Sequence, residues 1–351
     1  MTLSLRLGFL PLLDAALLVA ARDEGFAEAE GLHLELVRDV SWSNLRDKLH
    51  VRLLDAAHML APAMIASTLG IGSFRAPMAT PLSLNLNGNA ITLSLRRFEE
   101  LARLAEGDMA DPAVSAQALA KVVAIRKGTG LPPLTLATVF GHSTHTYLLR
   151  RWLALAGLVL GQDVLLEIVS PVQSVDALTS GRIDGFCTGA PWNTLAVKAG
   201  IGTIVHLGVD LWPDAPEKVL ALRADDVETR HEAVGKLVRA LAAASAWATL
   251  PANMPVLARH LAHPAVLGQP EELVAALLAG QLDQGAGRGS RHATGYLRLD
   301  AGAIQPQPEH GRAILMEMAA LGLLEPTDAQ FAAAKAVYRP DLFAAALTGR
   351  A

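Results

Sequence analysis

The stretch that decides the fold is LSLRLGFLPLLDAALLVAARDEG, residues 3–25. The apolar run Leu3–Leu10 predicts a buried strand, and Asp14–Gly25 has the apolar spacing of a helix, with Asp14 as its N-cap and Gly25 as its stop. A strand that leads into a helix is the building unit of layered α/β domains. This stretch therefore predicts an α/β protein.

The same stretch also resembles a secretory signal peptide, because Leu3–Ala21 is apolar, with Arg6 as a basic flank and Ala20–Ala21 as a possible cleavage site. Pro11 and Asp14 interrupt the apolar run, however, and one arginine is a weak positive region. We therefore interpret the segment as part of the fold and expect a protein without an export leader.

Short apolar runs alternate with helix-period segments along the rest of the chain, which predicts largely parallel sheets flanked by helices. The predicted strands are Leu3–Leu10, His33–Val37, Ala56–Leu60, Pro81–Leu86, Leu134–Val139, Leu165–Val169, Ile183–Cys187 and Thr203–Leu207. The other predicted helices are Asn44–Arg52 behind Ser41 or Ser43, His145–Gly157 behind Ser143 or Thr144, a helix from Pro191 to Gly200, Glu232–Leu250, Met254–Leu261 and Pro270–Leu282. The glycine-rich segment Gln281–Arg291 lacks the ending of a phosphate-binding loop, so we expect a mobile loop there.

Composition excludes several classes of protein. The chain has 351 residues, a net charge of −4 and a sequence pI near 6.3, so it lacks the broad basic surface that direct nucleic-acid binding needs. Its single cysteine, Cys187, cannot form an internal disulfide. Mean hydropathy is +0.32, yet no uninterrupted apolar run of about 18 residues is present, and we expect no membrane span.

Five blocks of sequence together resemble the nitrate/bicarbonate solute-binding family. The blocks are Leu7–Ala16, Ser41–Lys48, Asp55–Pro62, Leu86–Ile91 and Phe186–Asn193. The resemblance implies a two-lobed periplasmic-binding-protein-like fold of type II, each lobe a mostly parallel sheet flanked by helices. It places residues 1–90 and 219–351 in lobe I, residues 91–212 in lobe II and residues 213–218 in the second hinge segment, with crossings near Asn89–Ser94 and Pro213–Ala221.

The resemblance also implies an anion pocket formed by Trp42, Asn89, His145 and Lys218. Nitrate is a planar monoanion that needs several donors and one positive charge. Lys218 would supply the charge, His145 would lie in the first turn of a helix, Trp42 would offer its ring or indole N–H, and Asn89 would present an amide where nitrate receptors commonly have glutamine. Each residue also has a plainer interpretation: a solvated lysine, an interior histidine, a core tryptophan and a turn asparagine.

A lysine at position 218 favours nitrate over bicarbonate, because the bicarbonate receptors of this family carry an acidic residue and calcium in that region. His142 precedes His145 by three residues, but no third ligand is apparent, so we expect neither a metal nor a cofactor. Cys187 lacks the partners of a catalytic nucleophile, and Asp55 and His58 are expected on opposite faces of a strand. The sequence therefore indicates a binding protein rather than an enzyme.

Within the family the chain is most similar to cytoplasmic nitrate/nitrite sensors of the NasS type, which restrain an RNA-binding antiterminator of the NasT type. We therefore expect a cytoplasmic sensor that binds nitrate or nitrite and controls such a partner, without direct contact to nucleic acid or membrane. The alternative is the periplasmic nitrate-binding component of an ABC transporter.

Overall fold

The computed structural model describes residues 2–72 and 75–349. Its strands are β1 (Leu3–Phe9), β2 (Leu32–Arg38), β3 (Ala56–Leu60), β4 (Met78–Ala79), β5 (Ser83–Asn87), β6 (Asn89–Ser94), β7 (Leu134–Thr138), β8 (Val164–Ile168), β9 (Gly185–Gly189), β10 (Gly202–Leu207), β11 (Pro216–Arg223), β12 (Gln281–Asp283), β13 (Ser290–His292) and β14 (Leu297–Arg298). Its α-helices are α1 (Ala16–Asp23), α2 (Phe26–Ala29), α3 (Trp42–His50), α4 (Ala61–Leu69), α5 (Leu95–Leu104), α6 (Pro112–Gly128), α7 (Thr144–Ala154), α8 (Ser174–Thr179), α9 (Trp192–Lys198), α10 (Gly208–Leu211), α11 (Ala224–Thr229), α12 (His231–Ala248), α13 (Met254–Ala262), α14 (Glu271–Leu278), α15 (Ala301–Ile304), α16 (Pro308–Ala320), α17 (Asp328–Ala336) and α18 (Pro340–Leu347). Short 3-10 turns lie at Leu13–Ala15, Pro171–Gln173 and Pro251–Asn253.

The chain divides into two compact units. The first unit contains the described residues up to Leu86, Pro216–Leu278 and the described residues from Leu297 onward. The second unit contains Asn87–Ala215 and Ala279–Tyr296. Residues 87–90 and 279–296, predicted from the sequence to lie in lobe I, therefore belong to the second unit instead.

The first unit has a mixed sheet in the order β14-β5-β11-β3-β1-β2, with β4 also paired to β11. β1 runs parallel to β2 and β3, whereas β11 runs antiparallel to β3 and β5. Every residue of β3 and β11 is buried, so these two strands are the centre of the unit. Because β11 is antiparallel to β3, Lys218 pairs with Leu60 at the carboxyl end of β3.

The second unit has a five-stranded sheet in the order β10-β6-β9-β7-β8. β7 is parallel to β8 and β9, and β6 is antiparallel to β9 and β10. α7 packs on this sheet through Leu148, Leu149 and Trp152, which share one apolar cluster with Ile91 and Cys187. The start of α7 is thereby fixed beside the carboxyl end of β7.

Each of the eight predicted strands overlaps an observed one, but the segments expected as crossings are themselves largely strands, β6 and β11. Two helix predictions are wrong at their ends. The helix expected from Asp14 begins at Ala16 after a 3-10 turn, and Asp14 does not cap it. The helix expected over Pro270–Leu282 ends at Leu278, because Gly280 has a positive φ of 69° and the chain then enters β12.

The segment Gln281–Arg291, expected as a mobile loop, contains β12 and most of β13, which form an antiparallel pair. Among the helices of residues 2–72 and 75–349, none combines the length and apolar character of a bilayer span.

Candidate functional site

Trp42 is the first residue of α3 and is 1% exposed. Its position follows from the sequence, because Ser41 Oγ accepts the Asn44 N–H at 3.2 Å and so fixes the start of the helix. The Trp42 ring lies 5.5 Å from the His58 ring, at an interplanar angle of 52°. Within the described ranges the indole Nε1–H has no hydrogen-bond acceptor. A buried donor of this kind is costly unless a ligand or water accepts from it.

Lys218 lies in β11 and is completely buried. Its Nζ is 2.8 Å from Asp14 Oδ2, and it also donates to the carboxylate of Glu217. The same Nζ is 5.3 Å from the centroid of the Trp42 ring, within the range of a cation–π interaction. The structure therefore brings Trp42 and Lys218 together, and it surrounds the ammonium with two carboxylates.

Asp14 and His58 complete this cluster, although neither was predicted from the sequence to line the pocket. Asp14 follows the end of β1, and His58 lies in the middle of β3. His58 Nε2 is 3.0 Å from Asp14 Oδ1, so the two oxygens of Asp14 face two different partners. The available signal was the position of Asp14, a carboxylate inside an apolar run directly after a strand. We interpreted it as a helix cap because its partners are distant in sequence.

The ion pair determines the charge state of its members. Burial alone would raise the pKa of Asp14, but Lys218 and His58 outweigh burial and hold the pKa well below its ordinary range. Burial would likewise lower the pKa of Lys218, whereas Asp14 and Glu217 raise it. Both Asp14 and Lys218 are therefore charged at neutral pH despite their complete burial.

His145 lies in the first turn of α7 and is completely buried. The helix starts here because Ser143 Oγ accepts the Thr146 N–H at 3.2 Å. Thr138 Oγ1 contacts both Ser143 Oγ and Thr146 Oγ1, at 3.2 and 2.9 Å. These hydroxyl contacts join the end of β7 to the start of α7 and fix the position of His145.

Asn89 is the first residue of β6, is 1% exposed and pairs with Gly189 at the end of β9. Alternation along the strand places its side chain on the same sheet face as Ile91, which packs against α7. Asn89 and His145 therefore share one face and one edge of the sheet in the second unit. This edge carries the carboxyl ends of β7 and β9, where open α/β sheets bind their ligands.

In the first unit the predicted site residues also lie at the carboxyl ends of the parallel strands. Trp42 begins the helix after β2, Asp14 follows β1, and Lys218 pairs with the last residue of β3. β1, β2 and β3 run in the same direction, so their carboxyl ends form a single edge. Each unit thus carries two of the four predicted residues at the edge that binds ligands in this class of sheet.

The second unit also has two surface cavities, with volumes of about 290 and 330 Å³. Both are lined by Arg126 and Leu131, and neither includes any of the four predicted residues. Arg126 Nε and Nη2 already donate to the Pro132 carbonyl. We therefore place the site at the buried polar clusters rather than at these surface cavities.

The chain is similar to several known proteins. It is 32% identical to "Nitrate import ATP-binding protein NrtC" of Synechocystis over 97% of this chain and 49% of that protein. It is 30% identical to "Nitrate/nitrite binding protein NrtA" of Synechococcus elongatus over 96% of this chain and 76% of that protein. The chain spans about half the length of the first curated relatives it matches.

Solved structures agree with this similarity. The crystal structure of the periplasmic nitrate-binding protein NrtA from Synechocystis has a TM-score of 0.89 at 27% identity, covering 99% of this chain and 88% of that one. This similarity confirms the predicted periplasmic-binding-protein-like fold class. The strand pairing adds that both sheets are mixed rather than mostly parallel.

A family model, that of the NMT1-like family, matches residues 2–262, a range that includes all four predicted pocket residues. The expected similarity to nitrate solute-binding proteins is therefore confirmed, and the chain belongs to the NMT1-like family.

Proposed function

We propose that this protein binds nitrate or nitrite. The observation that carries the proposal is the pairing of Lys218 with Trp42: a buried ammonium lies 5.3 Å from the centre of an indole ring whose own N–H has no acceptor in the described part of the chain. An oxyanion would accept from the indole and interact with the ammonium, which removes the cost of the buried donor.

The charge arrangement favours nitrate over a calcium-assisted ligand such as bicarbonate. The Lys218 ammonium already contacts both Asp14 and Glu217. A divalent cation bound to these carboxylates would have to displace the ammonium, because the two positive charges repel each other strongly in a buried site. The names of the relatives, nitrate/nitrite binding protein and nitrate import protein, support the same ligand.

Calorimetric titration with nitrate, nitrite and bicarbonate tests the proposal. Nitrate or nitrite should bind the wild-type protein, and Lys218→Met should weaken binding by tenfold or more because the charged donor is lost. Lys236→Met is the matched control, since Lys236 pairs with Glu232 on the outer side of α12. Wild-type protein that binds none of the three ions would refute the proposed function.

For the biological role we propose the solute-binding component of an ABC importer, acting in the periplasm. The support is the set of relatives, whose names include nitrate import and periplasmic nitrate binding. A second proposal is the cytoplasmic sensor that controls an RNA-binding antiterminator of the NasT type, which the sequence resemblance implies. It uses the same anion site and a different partner.

Two measurements distinguish these roles. Recovery of the protein in a periplasmic shock fraction, with nitrate uptake lost on gene deletion, supports the importer. Capture of an antiterminator by the empty protein, and its release by nitrate, supports the sensor and contradicts the importer role.

A further inference from the structure

The positive charge of Lys218 is already paired with two carboxylates in the protein itself. Its Nζ contacts Asp14 at 2.8 Å and the Glu217 carboxylate, and Lys218, Asp14 and Glu217 are each at most 2% exposed. An ammonium has three N–H donors, and these two carboxylates take two of them. Among the residues that the structure describes, one donor therefore remains for a ligand, and two negative charges lie close to it.

Asp14 cannot easily turn away from the site. Its Oδ2 faces Lys218 and its Oδ1 lies 3.0 Å from His58 Nε2, so both oxygens are held. His58 itself is fixed in β3, which pairs with β1 on one side and β11 on the other. Because the pKa of Asp14 lies far below neutrality, the carboxylate keeps its charge at every physiological pH.

Trp42, which lies beside Lys218, offers a hydrogen-bond donor that carries no charge. Its indole N–H can donate to any oxyanion but cannot offset a second negative charge on it. In a buried site each negative charge of a ligand is repelled by Asp14 over a short distance. A monoanion experiences that repulsion once, and a dianion of the same shape experiences it twice.

We propose that Asp14 is a specificity-determining residue that makes the Lys218 site accept monoanions and reject dianions. The inference rests on the proposed function, since it concerns the same anion site. It gives Asp14 a role that a purely structural ion pair lacks: the carboxylate reduces the affinity for all anions, and it reduces the affinity for doubly charged anions most.

The test compares two ions of similar shape and different charge, perchlorate and sulfate, with nitrate as the reference ligand. Affinities are measured by calorimetry at one fixed pH. Asp14→Asn keeps the shape of the side chain and removes its charge. For charges about 5 Å apart at an effective dielectric near 20, the sulfate-to-perchlorate affinity ratio should rise by roughly a few hundredfold. Differences in ion hydration cancel, because the same ions are compared in both proteins.

Asp226→Asn is the matched control. Asp226 is also a buried carboxylate of the first unit, but it pairs with Arg223 and Arg52 at the far end of β11. Arg223, the partner of Asp226, lies five residues from Lys218 along β11, which corresponds to about 16 Å. This distance exceeds the usual screening length. The control should lose stability and leave the affinity ratio unchanged.

Glu217→Gln replaces Asp14→Asn if the latter does not fold, as judged by circular dichroism. It removes the other carboxylate from the same ammonium and should shift the ratio in the same direction. A folded variant that binds nitrate with an unchanged sulfate-to-perchlorate ratio refutes the selectivity role of Asp14. Failure of the wild-type protein to bind nitrate at all refutes the proposed function instead, so the two failures are distinguishable.

Discussion

At the scale of single residues, Trp42 is the most informative side chain because its polar atom is buried without a described acceptor. Trp152 provides the contrast. It is equally buried, but its Nε1 donates to Ser115 Oγ at 2.9 Å, so its polar atom is satisfied within the second unit. The Trp42 N–H is therefore a donor that needs a ligand, whereas the Trp152 N–H is a donor that belongs to the core.

Replacement of each tryptophan by phenylalanine tests this contrast. Trp42→Phe should lower the nitrate affinity by roughly tenfold, the value of one lost hydrogen bond, with little loss of stability in the empty protein. Trp152→Phe should destabilise the empty protein by about 1 kcal/mol and leave the affinity unchanged. Calorimetry and urea unfolding measure both quantities. Equal effects of the two variants on affinity would contradict a direct role for Trp42.

His206 makes the stability of the second unit depend on pH. Its Nε2 lies 2.5 Å from Ser115 Oγ inside the core, and burial, with smaller contributions from Arg288 and Arg291, lowers its pKa from 6.5 to about 4. The unfolded chain therefore takes up a proton on this imidazole at a higher pH than the folded protein. The stabilisation is complete above pH 6.5 and is lost as the pH falls from 6.5 towards 4.

The size of this effect is at most about 3 kcal/mol, from the difference between the two pKa values. Urea unfolding between pH 4 and 8 should show a free energy of unfolding that declines below about pH 6.5, and His206→Gln should flatten the decline. The exposed His292 is the control, because His292→Gln should leave the decline unchanged. An equally steep decline in the His206→Gln protein would contradict this assignment.

At the scale of elements, the sequence predicted the strands whose apolar runs are uninterrupted and missed β11 as a full strand. Pro216, Glu217 and Lys218 suggest a polar crossing, yet all three are buried. The carboxylate of Asp14 compensates the lysine from about 200 positions away in the sequence, and no local pattern reveals such a partner. For the same reason Asp14 was interpreted as a helix cap.

The strand assignment of β11 makes a stability prediction. Leu220 is completely buried in the middle of β11, and its N–H donates to the Leu82 carbonyl at 3.0 Å. Leu220→Ala should cost about 3 kcal/mol, because a buried side chain is lost from a packed sheet. Leu250→Ala, at a position that is 54% exposed, should cost less than about 0.5 kcal/mol. A hinge at this position would tolerate both changes equally, so similar unfolding midpoints in urea would contradict a central strand.

At the scale of the whole molecule, the fold class could be predicted because the five sequence blocks that carry it are local and distinctive, whereas the four pocket residues stay predictions. The neighbours of Lys218 could not be predicted, since they depend on which strands meet in the folded sheet. The unit boundaries show the same limit. Ala279–Tyr296 follows a long helical region of the first unit, yet it belongs to the second unit. The contacts that place it there could not be predicted from its glycine-rich sequence.

Arg288 makes several of these contacts. Its Nη1 donates to the Ile204 carbonyl at 2.6 Å, and its guanidinium lies 5.3 Å from the centre of the Phe98 ring. The backbone adds a further bond, from the Ile204 N–H to the Gln284 carbonyl at 2.9 Å. The β12–β13 hairpin is thereby fastened to β10 at the edge of the second sheet.

Hydrogen exchange tests this assignment in the intact protein. Arg288→Ala should increase exchange by roughly tenfold in peptides of β10 and of the β12–β13 hairpin, because about one hydrogen bond and one stacking contact are lost. Exchange in β1, β2 and β3 should stay the same, since those strands belong to the first unit. Arg259→Ala is the control: this side chain is 67% exposed in the first unit and should change neither set of peptides. If exchange rises in β1–β3 and not in β10, the hairpin belongs with the first unit, as the sequence alone had placed it.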